Sequence, residues 1–203
     1  MILDLKDKSK TEIYFTFIQT LVPRPVAWVL SPHANGAFNL APFSYFSGVC
    51  SEPPIVSLSV GRQRDGVLKD TWTNLEERKD CVIHIPHSKQ AEAVTASAAT
   101  YDNKTSEAAE LGLETVEVEG WPLPRLKDCR IAYLGEHFAT HKIGDPGQGL
   151  ILVKINAVYI DDSVAILDGK GLKVDTGALD PLARLGGDDY GTIGEVFTIA
   201  RPK

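Results

Sequence analysis

Pro23-Arg24-Pro25-Val26-Ala27-Trp28-Val29-Leu30-Ser31, Asn39-Leu40-Ala41-Pro42-Phe43-Ser44-Tyr45-Phe46, Pro53-Pro54-Ile55-Val56-Ser57-Leu58-Ser59-Val60-Gly61 and Lys69-Asp70-Thr71 follow one another within residues 23–71, and their order decides the fold. The apolar runs read as buried strands, the proline pairs as fixed starts for those strands, and the closing triplet as the mouth of a helix. Ala34-Asn35-Gly36 is a hairpin signal, so the strand from Val26 to Ser31 returns as a short one from Ala37 to Leu40. Pro42 removes a ladder donor, and pairing is expected to break at Ala41-Pro42-Phe43-Ser44, freeing backbone groups for another partner. In the next strand Val56, Leu58 and Val60 share one face and Ser57 and Ser59 the other, which leaves room beside the small hydroxyls. A strand corner facing a helix mouth is a place to hold a flat, phosphorylated ligand.

Outward from this stretch, Thr11 starts a short helix with Tyr14, Phe17, Ile18 and Leu21 on one face, ended by Pro23. Residues 61–66 form a charged loop bounded by glycines. Asp70 is expected to cap a helix in which Leu68, Trp72 and Leu75 line up and which ends near Lys79. Cys81 to Ile85 reads as a strand stopped by Pro86. Ser88 to Ala99 reads as one helix capped by Ser88, and Ser106 to Leu111 as another that stops at Gly112. Val116 to Glu119 alternates, and Trp121-Pro122-Leu123-Pro124 is an extended linker. The spacing predicts a helical subdomain laid across one end of a barrel. Cys129 to Ile143 and Gly149 to Asp161 form a long antiparallel hairpin. Asp168-Gly169-Lys170 reads as a turn, the glycine-rich tail 182–191 as non-helical, and Glu195 to Ile199 as a closing strand.

The 203 residues suffice for one substantial core, and residues 1–203 are expected to form a single domain. A composition 43% hydrophobic and 24% charged is that of an ordinary globular chain. The formal net charge of -6 argues against nucleic acid or an anionic membrane as partner, while leaving room for one basic pocket. Ile13 to Val22 is too short and too polar for a membrane span, and no signal peptide is recognisable. Cys50, Cys81 and Cys129 are widely spaced, which suggests reduced thiols acting as small buried hydrophobes in the cytoplasm. The five histidines show no ligand spacing, and no metal site is expected, including at His84 and His87 around Pro86.

The chemistry centres on Lys69-Asp70-Thr71. A helix N-terminus carries unpaired N–H groups and partial positive charge, which a lysine and a threonine hydroxyl extend into a phosphate cradle. Arg62 and Arg64 in the preceding loop can add charge-assisted bonds. On spacing alone the triplet reads first as a capped surface helix, Phe43, Tyr45 and Phe46 as core, and Arg24 as an exposed turn arginine.

In combination and in order, Pro23-Arg24-Pro25-Val26-Ala27-Trp28-Val29, Gly36, Asn39 to Phe46, Pro53-Pro54, Lys69-Asp70-Thr71 with Asn74, and Arg184-Leu185-Gly186-Gly187 with Tyr190 resemble the flavin reductase-like family of FMN-binding split-barrel proteins. The resemblance implies a mainly β chain with helical insertions, a six-stranded split β-barrel of greek-key arrangement, working as a homodimer with FMN near the subunit interface. It implies that Asn39, Leu40, Ala41, Pro42, Phe43 and Ser44 edge the isoalloxazine. Ser59, Gly61 and Arg62 with Lys69, Asp70 and Thr71 would hold the ribityl phosphate. Arg24 would lie near the ring or phosphate, and Arg184 and Tyr190 would close the site from the tail. Small reductases of this family often carry Gly-Asp-His before a late strand, the histidine placing the nicotinamide. Here the turn is Gly144-Asp145-Pro146, with His137 and His141 earlier on the hairpin as candidate substitutes. The expected function is that of an FMN-dependent oxidoreductase with NADH or NADPH as donor. A flavoredoxin-like carrier served by a redox partner protein is the alternative, and no general acid or base is assigned.

Overall fold

The computed structural model describes residues 1–101, 105–167, 169 and 171–202. The principal sheet contains β1 (Ala27–Pro32), β2 (Phe38–Phe43), β3 (Phe46–Ser51), β4 (Pro54–Val60), β5 (Asp80–Ile85), β6 (Ile131–Ile143) and β7 (Gln148–Ile160). All neighbours are antiparallel, in the order β2-β1-β5-β6-β7-β4-β3. The sheet curls until β2 meets β4, which closes a split barrel of six strands, β2-β1-β5-β6-β7-β4, with β3 as a seventh strand paired to β4 outside the closure. The helices are α1 (Lys10–Thr20), α2 (Asp70–Arg78), α3 (Ala91–Ala96), α4 (Glu107–Glu110) and α5 (Thr176–Leu179).

Period-two alternation sorts the side chains of the sheet into two cores. Ala27 and Val29 of β1 point inward with Leu58, Val60, Ile151 and Val153, where Trp72 and Leu75 of α2 plug the barrel. Trp28 and Leu30 point outward against Val94 of α3, Ala108 of α4 and Leu123. Trp72 lies flat on β7 because residue 149 is glycine: a Cβ there would come within 2.7 Å of the indole. His84 on β5 is fully buried and joins the layers. Its Nδ1–H donates to Trp28 O at 3.0 Å, and its Nε2 accepts from Leu126 N–H at 2.8 Å. Burial lowers the pKa of this imidazole to about 4, so it is neutral in the folded chain.

The hairpin of β6 and β7, the β5 strand and the turn at Gly36 lie where the sequence places them. Other expectations are corrected. Pairing does not break at Pro42: β2 runs to Phe43, with Trp28 opposite Pro42 and Ala27 opposite Phe43. Its place on an edge strand accommodates a residue without an N–H. Asp70 is not the cap of α2. Lys69 is the capping residue, with extended backbone and no side-chain bond, and Asp70 occupies the first turn. Ser88 to Ala99 is not one helix but a 3-10 turn, Ser88–Gln90, followed by α3, and the Ser88 hydroxyl bonds the Asp180 carboxylate. Val116 to Glu119 and the linker after it reduce to a short ribbon pairing Thr115–Val116 with Arg125–Leu126. On α1 only Ile18 is buried, while Tyr14, Phe17 and Leu21 are exposed. Cys50 is exposed on β3 rather than buried. Glu195 to Ile199 forms no strand and is exposed, since β-rich composition makes a strand only beside a partner edge. Asp168 and Lys170 of the expected turn lie outside the described residues.

Candidate functional site

Two cavities open where β2, the end of β4 and the mouth of α2 converge, and both are lined by Pro42 and Lys69. The larger, about 380 Å³, runs between α1 and the β6–β7 turn. It takes in Arg24, Pro42, Phe43, Ser44, Ser59, Gly61, Arg62, Lys69 and Arg184 of the predicted set. The narrower, about 80 Å³, continues under the helical insertion with Asn39, Ala41, Asp70 and Thr71. The proline-bearing edge and the helix mouth therefore face each other across one groove, although they lie nearly thirty residues apart in sequence.

Leu40 and Tyr190 are not in it. The Leu40 side chain is fully buried on the outer face of β2, and its N–H donates to Glu107 Oε2 at 2.8 Å. Tyr190 lies under the Arg184 guanidinium, 4.5 Å from ring centroid to carbon, and its hydroxyl pairs with Thr95 Oγ1 at 2.9 Å. It closes the tail against α3. Arg64 is exposed in its loop and lines neither cavity.

The cations of the groove differ in what they can still bond. Arg24 is 5% exposed and acts mainly as a clamp. It donates to Ile18 O at 2.9 Å and Leu21 O at 2.5 Å, both at the end of α1, and to Leu185 O at 2.8 Å, with Ser44 Oγ at 3.4 Å. Of five guanidinium N–H groups, one remains for a ligand. Arg62 donates to Gly66 O at 3.0 Å and Gly147 O at 3.3 Å, and Arg184 to Gly187 O at 2.6 Å and Asp189 O at 3.0 Å, so each is positioned with donors to spare. Among the described residues Lys69 Nζ has no hydrogen bond or ion pair, and it sits 5.8 Å from the Phe43 ring centroid. Crowding by its neighbours holds its ammonium below the ordinary lysine pKa, a shift that a nearby anion would reverse.

At the mouth of α2 the Trp72 and Thr73 N–H groups bond Lys69 O, while those of Asp70 and Thr71 find no acceptor among the described residues. Two free backbone donors, the helix dipole and an unpaired ammonium make a donor set suited to a phosphate monoester. The larger cavity, with Pro42 to Ser44 on one wall and the small Ser59 and Gly61 on another, has room for a planar ring.

Several groove residues carried no local signal. Gln148 enters from the β6–β7 turn and donates to Ser59 Oγ at 3.1 Å; Tyr14 and Ile18 enter from α1; Ser97 to Tyr101 and Glu107 enter from the helical insertion. An alternating or helical pattern marks an element but not which distant element it meets. Glu107 is 5% exposed, and burial raises its pKa against the lowering effect of the Leu40 N–H. His137 pairs with Thr140 Oγ1, and neither it nor His141 is among the residues lining the two cavities. Among the described residues no group of three or more His, Cys, Asp and Glu gathers as a metal site, and no helix is long and apolar enough to cross a membrane.

Comparison with known proteins places this groove in context. Residues 19–171 match the profile of the flavin reductase like domain. An uncharacterized protein of Halalkalibacterium halodurans is 33% identical over 198 residues, covering 96% of this chain and 93% of its own. Nitrilotriacetate monooxygenase component B from Bacillus cereus superposes with a TM-score of 0.90 at 27% identity, over 98% of both chains. The 2-nitrobenzoate 2-nitroreductase of Pseudomonas fluorescens shares the fold, with a TM-score of 0.87 at 23% identity over 100% of this chain and 96% of its own.

Proposed function

Because the chain belongs to the flavin reductase-like family, we propose that it is an FMN-binding oxidoreductase taking hydride from NADH or NADPH and handing the electrons to an acceptor. The observation that carries this reading is the shared groove, in which Pro42 and Lys69 border both the wide, ring-sized cavity and the narrow, donor-rich one. Bound FMN would supply the hydride-accepting N5 and the storage of two electrons. The protein's part is to bind and orient. Lys69 with the Asp70 and Thr71 N–H groups holds the phosphate. The β2 edge from Ala41 to Ser44 sets the plane of the ring, Arg62 and Arg184 supply positive charge beside it, and α1 with the tail shields it from water. No side chain need move a proton in the hydride step.

The monooxygenase component among the structural relatives points to a partner oxygenase as one acceptor for the electrons. A homodimer would cover Tyr14, Phe17 and Leu21, the exposed apolar face of α1 beside the groove. The free cysteines suit a cytoplasmic setting. A second reading, an electron carrier reduced by a protein, is favoured by one observation: Pro146 stands where the nicotinamide-placing histidine is expected. Anaerobic stopped-flow mixing of the FMN-loaded protein with NADH and with NADPH separates the two. Rapid bleaching of the flavin by either nucleotide is expected of the reductase. No bleaching, together with reduction by a low-potential protein donor, would replace it with the carrier.

A further inference from the structure

We infer that Asn39 is a positioning residue for the phosphate subsite: it holds the Thr71 hydroxyl as a donor and does not itself bond the phosphate. The inference rests on the FMN reading above and names how that site tells a phosphorylated flavin from an unphosphorylated one.

Asn39 lies opposite Ser31 in the β1–β2 register, on the inward face of the sheet, and is 3% exposed. Its Nδ2 donates to Ser31 Oγ at 3.2 Å and to Thr71 Oγ1 at 2.9 Å. Those are the only two N–H groups a side-chain amide has, so none is left for a ligand. The chain of bonds continues behind it: Asn74 Nδ2 donates to the same Ser31 Oγ at 3.2 Å, and Arg78 donates to Asn74 Oδ1 at 3.2 Å. Ser31, Asn39, Thr71 and Asn74 are all buried, and α2 is thereby fastened to β1 and β2 by a polar seam beside its apolar contacts.

The consequence falls on Thr71. Its oxygen accepts from Asn39, which turns the O–H proton away from the amide and leaves it two of its three staggered positions. The O–H proton has no acceptor among the described residues, and Thr71 lines the narrow cavity beside Lys69. A hydroxyl rotor would otherwise be free to turn. Held this way, it stands as a third donor next to the Asp70 and Thr71 N–H groups. A hydrogen bond to a charged acceptor corresponds to about ten- to a hundredfold in affinity. That factor should apply to FMN and not to riboflavin, which has the same ring and ribityl chain without the anion.

The test is a pair of titrations, FMN and riboflavin, on the full chain and on Asn39→Ala, Thr71→Val and the double variant. The expected result is that each single change weakens FMN about tenfold or more and leaves riboflavin within about twofold. The double variant should be no weaker than the worse single one, because the two residues act through one bond. Equal loss for both ligands would show a merely structural Asn39 and overturn the inference, as would additive losses. Should Asn39→Ala not fold, Asn74→Ala, two bonds farther along the seam through Ser31, serves instead: a loss confined to FMN supports the seam, and a loss shared with riboflavin overturns it. If the unaltered chain binds FMN no tighter than riboflavin, the phosphate assignment itself fails. If it prefers FMN and Asn39→Ala keeps that preference, only the role of Asn39 fails.

Discussion

Burial decides what each polar residue near the groove does. Arg24 reads in sequence as a guanidinium held between two prolines, and its fixed backbone does aim it. The targets are three backbone carbonyls of α1 and the tail, however, and so it fastens the walls of the groove more than it touches the contents. His84 is the clearest case of a titratable group used for structure. It is neutral in the folded chain, with its pKa lowered to about 4 from 6.5, whereas the unfolded chain takes up its proton near the ordinary value. The unfolded state therefore binds more protons between those limits, and stability is complete above about pH 6.5 and declines as pH falls. The loss attributable to His84 is about 3 kcal/mol, complete near pH 4. Urea unfolding across this range should show it as a fall in midpoint, and His84→Gln should flatten the slope although it lowers stability at neutral pH. An unchanged slope in that variant would remove His84 from the role. Burial also lowers the pKa values of His33, His87 and His137, so the comparison with the variant, not the total slope, isolates it.

At the scale of elements, α2 links the core to the site. Its Trp72 and Leu75 plug the barrel while its first turn faces the groove, so the packing of the indole sets where Lys69 and Thr71 stand. Gly149→Ala would put a methyl group 2.7 Å from the Trp72 ring and should cost about 1 to 3 kcal/mol of stability, with weaker FMN binding as α2 shifts. Gly48→Ala, with nothing within 4 Å of the added carbon, should leave both unchanged and serves as the control. A Gly149→Ala protein with native urea midpoint and FMN affinity would contradict the plug. Much of this was legible beforehand. The alternation in Val56 to Val60, the Asn35-Gly36 turn and the apolar spacing of Trp72 and Leu75 are local patterns, and each produced the element it predicts. What local pattern could not supply was partnership. Pro42 stays paired because β2 is an edge, the tail at Glu195 to Ile199 has no strand to join, and Ser97 to Tyr101 reach the groove only through the way the insertion folds over β2. Asn39 was placed at the site by its motif, but its inward direction follows from register.

For the whole molecule, one arrangement governs the site. The curled sheet brings the edge of β2 and the tip of α2 to the two sides of a single groove, and the cationic groups gather there in a chain whose formal net charge is -6. The ordered motifs of residues 23–71 mark the two walls, but of the four strands that lie between β2 and β4 only β1 belongs to them, while β5, β6 and β7 come from later in the chain. The most direct test is calorimetric titration of FMN into the purified protein and into Lys69→Ala. The account predicts saturable binding of one FMN per chain, weakened in the variant by about 1.5 to 3 kcal/mol, the range for charge-assisted hydrogen bonds. A protein indifferent to FMN, or a Lys69→Ala variant that binds it as tightly as the unaltered chain, would contradict it.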